Sequence, residues 1–429
     1  MKILVIGSGG REHALSWTLQ RTRRAALKIY CAPGNAGIAS VAECVSLNAT
    51  ATRELAQFAE ERGIELTIVG GEAPLAAGIV DEFESRGLLI AGPRLKAARL
   101  EASKAFAKDF MARHRVPTAR YRVTDSATAA LEILRSGEFG GEDSPIVVKA
   151  DGLAAGKGVV VARSRREAED AIKNLMLKGA VGPEAASRVV IEEALAGREA
   201  SLLLFSDGRD YALMPAARDH KRVGEGDTGP NTGGMGAITD KEVLDDETLR
   251  RAVQEIVEPT LQGARDDGFA FRGVLFIGLM LTEEGPRVLE YNVRFGDPET
   301  QAILVRLESD LAQIFEAVAR GGLKEVSGSW SDDASACVVL AARGYPARPE
   351  TGALITGLER ACQHEGVEIF HAGTALDESG RLLTAGGRVL GVTARDATLE
   401  GALARSYTAI GDIHWEGMHY RRDIGKFVE

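Results

Sequence analysis

Short apolar runs alternate with longer amphipathic stretches along the first hundred residues of the chain. The runs Ile3–Ile6, Ile29–Cys31, Leu66–Val69 and Leu88–Ala91 read as strands, and His13–Gln20, Arg53–Arg62 and Ala76–Ser85 carry the helical period. That alternation predicts a parallel sheet with helices on both faces. From about residue 104 to 327 the pattern changes to a longer α+β block rich in glycine loops. It holds a hairpin built on Val274–Leu281 and the run that begins at Leu289. From about 328 to 429, strands at Ala336–Ala341, Val367–His371, Leu382–Ala385 and Arg388–Ala394 predict a small β-rich cap. Neither an internal repeat nor a low-complexity segment is found.

Composition narrows the class. A chain of 429 residues is too long for one core, and 45% apolar with 27% charged residues is ordinary for a soluble globular protein. No apolar run reaches the ~18–20 residues of a membrane span. Met1–Gly7 reads as a first strand rather than a signal peptide. Cys31, Cys44, Cys337 and Cys362 are scattered, with no CxxC pair, so neither a disulfide framework nor a zinc site is expected. That usage predicts a reducing cytoplasm. The net charge of −10 argues against a nucleic-acid surface, so a phosphate ligand would need positive charge concentrated locally.

Three glycine-rich stretches supply candidate chemistry. In Gly7-Ser8-Gly9-Gly10-Arg11-Glu12-His13, Glu12 stands where GxGxxG needs glycine, which counts against a dinucleotide site. Gly9 and Gly10 still open a helix, whose N–H groups can take a phosphate monoester. Asn35, in Gly34–Gly37, and the Gly70-Gly71-Glu72 turn share the same sheet edge; plain tight turns are the alternative. The second stretch, Ala150–Gly158, joins strand Pro145–Lys149 to strand Val159–Ala162. Its Gly152, Gly156 and Gly158 leave backbone N–H groups able to close over phosphates, with Lys149 and Lys157 beside them, and it is not a Walker loop.

Val189 to Ser201 then reads as a strand entering a linker. One backbone edge there is free to pair with an adenine, and Glu199 lies far enough along to take a ribose diol; unremarkable acidic surface is the alternative. The third glycine stretch, Asp219–Gly236, brings cations that could face anions, and His220 reads as a hydrogen-bonded structural histidine. Strand alternation puts Glu290, Asn292 and Arg294 on one face. Two hard oxygen ligands at that spacing suit Mg²⁺, and an arginine beside them could grip a carboxylate or phosphoryl oxygen; a solvated edge strand is the alternative.

Lys104, a strand–glycine-loop–strand with Lys149, Glu-Glu-x-Leu-x-Gly-x-Glu and then Glu-x-Asn follow the order of the ATP-grasp ligases, which the chain resembles. Finer strings include Gly-Ser-Gly-Gly-Arg-Glu-His, Lys-Ala-Asp-Gly-Leu-Ala-Ala-Gly-Lys-Gly, Asp-His-Lys-Arg, Gly-Pro-Asn-Thr-Gly-Gly-Met-Gly and Arg-Phe-Gly-Asp-Pro-Glu-Thr-Gln. They resemble the phosphoribosylamine–glycine ligase family from residue 5 to Gly425, in its stand-alone bacterial form.

The resemblance implies an N-terminal parallel α/β (pre-ATP-grasp) domain over 1–103 and an ATP-grasp domain over 104–327 with a mobile lid at about 122–193. A small β-rich C-terminal domain would cover 328–429. It implies a cytoplasmic monomer that joins glycine to 5-phosphoribosylamine with ATP and Mg²⁺ or Mn²⁺, through a glycyl phosphate, in purine synthesis. Another ATP-grasp ligase or carboxylase of that pathway is the alternative. By the same likeness Lys104, Lys149, Gly152, Gly156, Lys157 and Gly158 attend the phosphates. Glu192, Glu193, Leu195 and Glu199 attend the nucleoside, and Glu290 and Asn292 the metal. Gly9, Gly10, Asn35, Asp219, Lys221 and Arg294 attend the other substrates, and Arg294 and Asp297 act in catalysis, although a structural role for Asp297 in its turn stays open. Gly278 stands where many ATP-grasp enzymes carry a further acidic ligand.

Overall fold

The computed structural model describes residues 1–22, 26–154, 158–182, 185–326 and 328–426. Strands Lys2–Gly7, Lys28–Pro33, Glu43–Cys44, Leu66–Val69 and Ile90–Ala91 form a five-stranded parallel sheet with the first strand at its centre. Ile3 and Val5 pack with Leu15 and Leu19 of helix Gly10–Thr22 on one face. Leu4 and Ile6 pack with Leu55 and Ala59 of helix Thr52–Arg62 on the other. Burial on both faces explains why the strand is apolar throughout. The single helix expected over Ala76–Ser85 is two helices, Glu72–Ala76 and Ile79–Ser85. Gly78, at φ +81°, breaks the run in a conformation that glycine adopts without steric cost.

Helix Lys104–Arg113 is capped by Ser103, whose Oγ accepts from the Phe106 N–H at 3.1 Å. An antiparallel four-stranded sheet follows, in the spatial order Tyr121–Thr124, Val189–Glu193, Ile146–Ala150, Val159–Ala162. With helices Ala127–Arg135 and Arg165–Ile172 it encloses its own small core, which includes Leu134, Val148, Ile172 and Ile191. Asp151 ties this lobe to the capped helix: its Oδ1 accepts from Ser103 Oγ and from the Ala105 N–H, both at 2.8 Å.

A second antiparallel sheet holds Tyr211–Leu213, Arg198–Asp207, Arg272–Thr282 and Gly285–Asn292. The last two strands are the hairpin expected from sequence, with Gly278 opposite Glu290 and an irregularity at the next pair. The C-terminal sheet contains Ala334–Ala341, Arg388–Asp396 and Val367–His371, with helix Leu399–Ile410 packed against the first two. Its other two strands, Arg218–Asp219 and Gly236–Thr239, come from the ends of the third glycine stretch. Strand Leu382–Thr384 lies outside that sheet, paired with Thr374–Leu376. Among the described residues no helix is long and apolar enough to cross a membrane.

Candidate active site

One cleft of about 400 Å³ runs between the small lobe, the central hairpin and the carboxyl edge of the N-terminal sheet. Lys104, Lys149, Gly158, Glu192, Asp219, Lys221, Glu290, Asn292, Arg294 and Asp297 line it, so residues far apart in sequence are brought together. Arg11, Glu72, Glu101, Lys108, Glu299 and Arg388 also line it, and the sequence motifs alone assign them no role. Gly9, Gly10, Asn35, Gly152, Glu193, Leu195 and Glu199 lie outside this lining. Gly156 and Lys157 lie outside the described residues.

Three lysines converge at the lobe side. Lys149 Nζ donates to the Leu289 carbonyl at 2.9 Å and lies 3.0 Å from Glu192 Oε1. Lys108 Nζ sits 2.9 Å from Glu192 Oε2 and donates to Thr118 Oγ1 at 2.8 Å. Burial pushes the Lys108 ammonium down to about 8, with Glu192 opposing the shift. Lys104 donates from Nζ to the Gly152 carbonyl at 3.3 Å, and burial lowers it while Glu290 opposes. The Glu192 side chain is therefore committed to two ammonium groups, which leaves only its backbone for a base. Glu193 is committed as well, to the Arg120 N–H at 2.9 Å and Arg120 Nε at 2.6 Å. Glu199 pairs with Lys221 at 2.9 Å.

Glu290 is half-buried; desolvation would raise its pKa, but Lys221, Lys149 and Lys104 outweigh it and hold the carboxyl below its ordinary range. The Asn292 Oδ1 accepts from Arg294 Nη2 at 3.1 Å. A Cβ on Gly278 would stand 3.3 Å from Glu290 Cγ, so the opposing strand leaves room there and supplies no ligand. Among the described residues no three His, Cys, Asp or Glu side chains gather around one cation position. An ionised carboxylate plus one amide oxygen suits an ion that takes its remaining ligands from water and phosphate, as Mg²⁺ does.

The far end of the cleft is an ionic network. Arg294 Nη2 donates to Glu101 Oε1 at 2.8 Å and Nε to Glu72 Oε2 at 3.3 Å, while Glu101 Oε2 accepts the Val293 N–H at 2.8 Å. Burial raises the Glu101 carboxyl, with Arg294 opposing. Asp297 Oδ1 accepts from Gln301 Nε2 at 2.8 Å and Oδ2 lies 3.3 Å from Arg388 Nη2. Burial would raise Asp297, but Arg388 and Arg11 hold it below its ordinary range. Asp219 has the opposite balance. Burial and Glu299 push its carboxyl well up, and its buried Oδ1 finds no hydrogen-bond partner among the described residues.

At the first glycine turn the amide expected to be free is occupied. The Gly9 N–H donates to Glu12 Oε2 at 2.6 Å, half of a capping box closed by the third helical residue. Glu12 is 2% exposed and pairs with Arg11 Nε at 2.7 Å. Gly10 is packed so that a Cβ would meet Gln301 Nε2 at 2.6 Å. The Asn35 side chain is fully used: Oδ1 accepts from the Gly37 and Ile38 N–H groups at 2.9 Å, and Nδ2 donates to the Ser8 and His371 carbonyls at 2.8 Å. It fastens the sheet edge to the C-terminal sheet.

Known proteins match this arrangement along the whole chain. Models of phosphoribosylglycinamide synthetase match as the N domain over 1–101, the ATP-grasp (A) domain over 102–300 and the C domain over 335–427. The phosphoribosylamine–glycine ligase of Xanthomonas axonopodis pv. citri is 49% identical over 428 residues, 99% of this chain and 97% of that one. The crystal structure of the Thermotoga maritima phosphoribosylamine–glycine ligase superposes with a TM-score of 0.84 at 34% identity, covering 99% of this chain and 100% of that one. The biotin carboxylase domain of Hydrogenobacter thermophilus 2-oxoglutarate carboxylase, solved with MgADP, ADP and bicarbonate, shares the fold at a TM-score of 0.70 and 16% identity, over 98% of this chain and 91% of that one. The chain belongs to the phosphoribosylglycinamide synthetase family of ATP-grasp ligases, the phosphoribosylamine–glycine ligases.

Proposed function

We propose that the chain joins glycine to 5-phosphoribosylamine, converting ATP to ADP and phosphate through a glycyl phosphate, in purine synthesis. The observation that carries this reading is one cleft with three lysines at one end, Glu290 and Asn292 in the middle, and paired acids and arginines at the other. A glycine carboxylate oxygen attacks the γ-phosphorus, and the bond from γ-phosphorus to the β–γ bridging oxygen breaks, releasing ADP. The amine of phosphoribosylamine then attacks the acyl carbon and loses a proton, and phosphate leaves with the C–O bond. Such steps need alignment and charge neutralisation more than covalent help.

Lys104 and Lys149 hold the α and β phosphates, and the 151–158 loop covers the triphosphate. The backbone from Glu192 to Leu195 takes adenine and Glu199 the ribose. Glu290 and Asn292 would hold Mg²⁺, for which Mn²⁺ can substitute, and the ion when bound neutralises phosphoryl charge. Arg294 offsets charge beside glycine, Asp219 and Lys221 contact the substrates, and Asp297 orients an ammonium or accepts its proton. With the Gly9 amide committed to Glu12, Arg11 supplies the positive charge for the 5′-phosphate at the opening of the first helix.

In this reading the domains are 1–103, 104–327 and 328–429, and the lobe at about 122–193 closes over ATP as a lid. The lobe's separate core supports that motion. Saturating ATP analogue should slow hydrogen exchange at 147–152 and 158–161, and unchanged exchange there refutes the lid. Four free cysteines fit a reducing cytoplasm, and a single species near 45.6 kDa in sedimentation equilibrium is expected for a monomer. The decisive assay for the activity is ADP release that requires glycine and phosphoribosylamine together. ADP release that depends on bicarbonate instead would overturn the reading.

A further inference from the structure

Asp219, His220 and Lys221 are consecutive, and the middle side chain leaves the cleft. Asp219 and Lys221 line it, whereas His220 is 3% exposed and its Nε2 accepts the Gly425 N–H at 2.9 Å. Alternation along an extended backbone produces this split. The backbone is fixed on both sides of His220: its N–H donates to the Gly236 carbonyl at 2.9 Å and its carbonyl accepts the Met235 N–H at 2.8 Å. Burial, and next Arg421, push the imidazole down to about 4, so the ring is neutral and keeps a lone pair for Gly425.

That contact belongs to a larger clamp between 219–227 and the C-terminal segment. Arg421 is 0% exposed; its Nη1 donates to Asp227 Oδ1 at 2.6 Å and to the Arg222 carbonyl at 3.1 Å. Asp423 takes both Arg421 Nε and Nη2 at 2.8 Å, and its Oδ2 also accepts the Gly226 N–H at 2.8 Å. A buried guanidinium with two carboxylates and a carbonyl is expensive to assemble and geometrically exacting, which suits a device that fixes position more than one that adds stability.

We propose that His220 and Arg421 are positioning residues, through which the segment 419–425 sets the place of Asp219 and Lys221 in the cleft. This rests on the reading that Asp219 and Lys221 serve the ligase reaction. A displacement of about 1 Å in such groups can cost on the order of a hundredfold in rate.

The test compares purified full-length variants. His220→Leu removes the acceptor, while His220→Gln can present Oε1 to the Gly425 N–H. The leucine variant is expected to lose roughly tenfold or more in kcat with the KM for ATP little changed, and the glutamine variant to recover most of it. If His220→Leu fails to fold, Asp227→Asn, at the half-exposed end of the clamp, decides by the same kcat loss. Folded His220→Leu or Asp227→Asn enzyme with parental kcat overturns the brace, and so does a glutamine variant no better than leucine. Lys221→Ala separates the two levels. If it keeps parental kcat, the underlying reading of the cleft fails. If it loses activity while the folded brace variants do not, only the brace fails.

Discussion

Lys221 and Glu199 meet in an ion pair of 2.9 Å between the third glycine stretch and strand Arg198–Asp207. By the family resemblance the two residues serve different ligands. Both side chains are about half exposed, so the pair adds under about 1 kcal/mol to the fold. In the proposed function its weight falls on binding, where Glu199 is assigned to a ribose diol. Glu199→Gln should raise the Kd of an ATP analogue roughly tenfold, about 1.4 kcal/mol, with little change in Tm. Calorimetric titration checks it, and an unchanged Kd would remove Glu199 from the nucleotide site.

Glu192 separates two ammonium groups that are otherwise buried together. Glu192→Leu should destabilise the protein by about 3–5 kcal/mol, since removing one partner leaves uncompensated buried charge. The pH dependence has a defined sign. Burial already holds Lys108 at about 8 with Glu192 opposing, so losing Glu192 lowers it further. The unfolded chain then binds more protons than the folded one above neutrality, and the variant should gain stability from pH 7 to 9. Urea melts at the two pH values measure this; a variant as stable as its parent at pH 7 contradicts the assignment.

His13 Nδ1 accepts the N–H of His371 at 2.8 Å, joining the first helix to the C-terminal sheet. Burial, and then His371, push the His13 imidazole down to about 3 from an ordinary 6.5. Between those values the unfolded state binds the extra proton, so this contribution is complete above about pH 6.5 and is lost as pH falls toward 3. His13→Asn, which can offer Oδ1 as acceptor without titrating, should flatten the acid limb of the stability curve. An acid limb that keeps its slope would show that other groups govern it.

Glu290→Ala should lower kcat by on the order of 10²–10³ while leaving the fold intact, because the hairpin packs through Val288 and Tyr291. Turnover measured at limiting Mg²⁺ is the sensitive condition. Near-parental activity there would take Glu290 out of the metal site.

The fold was legible where burial is two-sided or strictly alternating, as in the first strand and the Arg272–Asn292 hairpin. Gly78 was visible, but nothing local says that a helix stops there rather than tolerating it. Lys108 lies one helical turn from Lys104 and was findable by that spacing, yet its meaning depends on Glu192 from a distant strand. Glu72 and Glu101 reach Arg294 across about two hundred residues, beyond any local pattern. In sequence Glu12 stands out only as a misfit in a glycine motif, although a carboxylate at the third helical position is also the residue that can cap Gly9.

In the proposed reaction glycine's carboxylate is phosphorylated before the amine attacks. Glycine labelled with ¹⁸O in its carboxylate, turned over with ATP and phosphoribosylamine, tests it through mass analysis of the phosphate released. Each fully labelled glycine should deliver one ¹⁸O to phosphate and keep one in the amide product. Unlabelled phosphate, formed at the same rate as product, would contradict the glycyl phosphate and the ligase chemistry proposed through it.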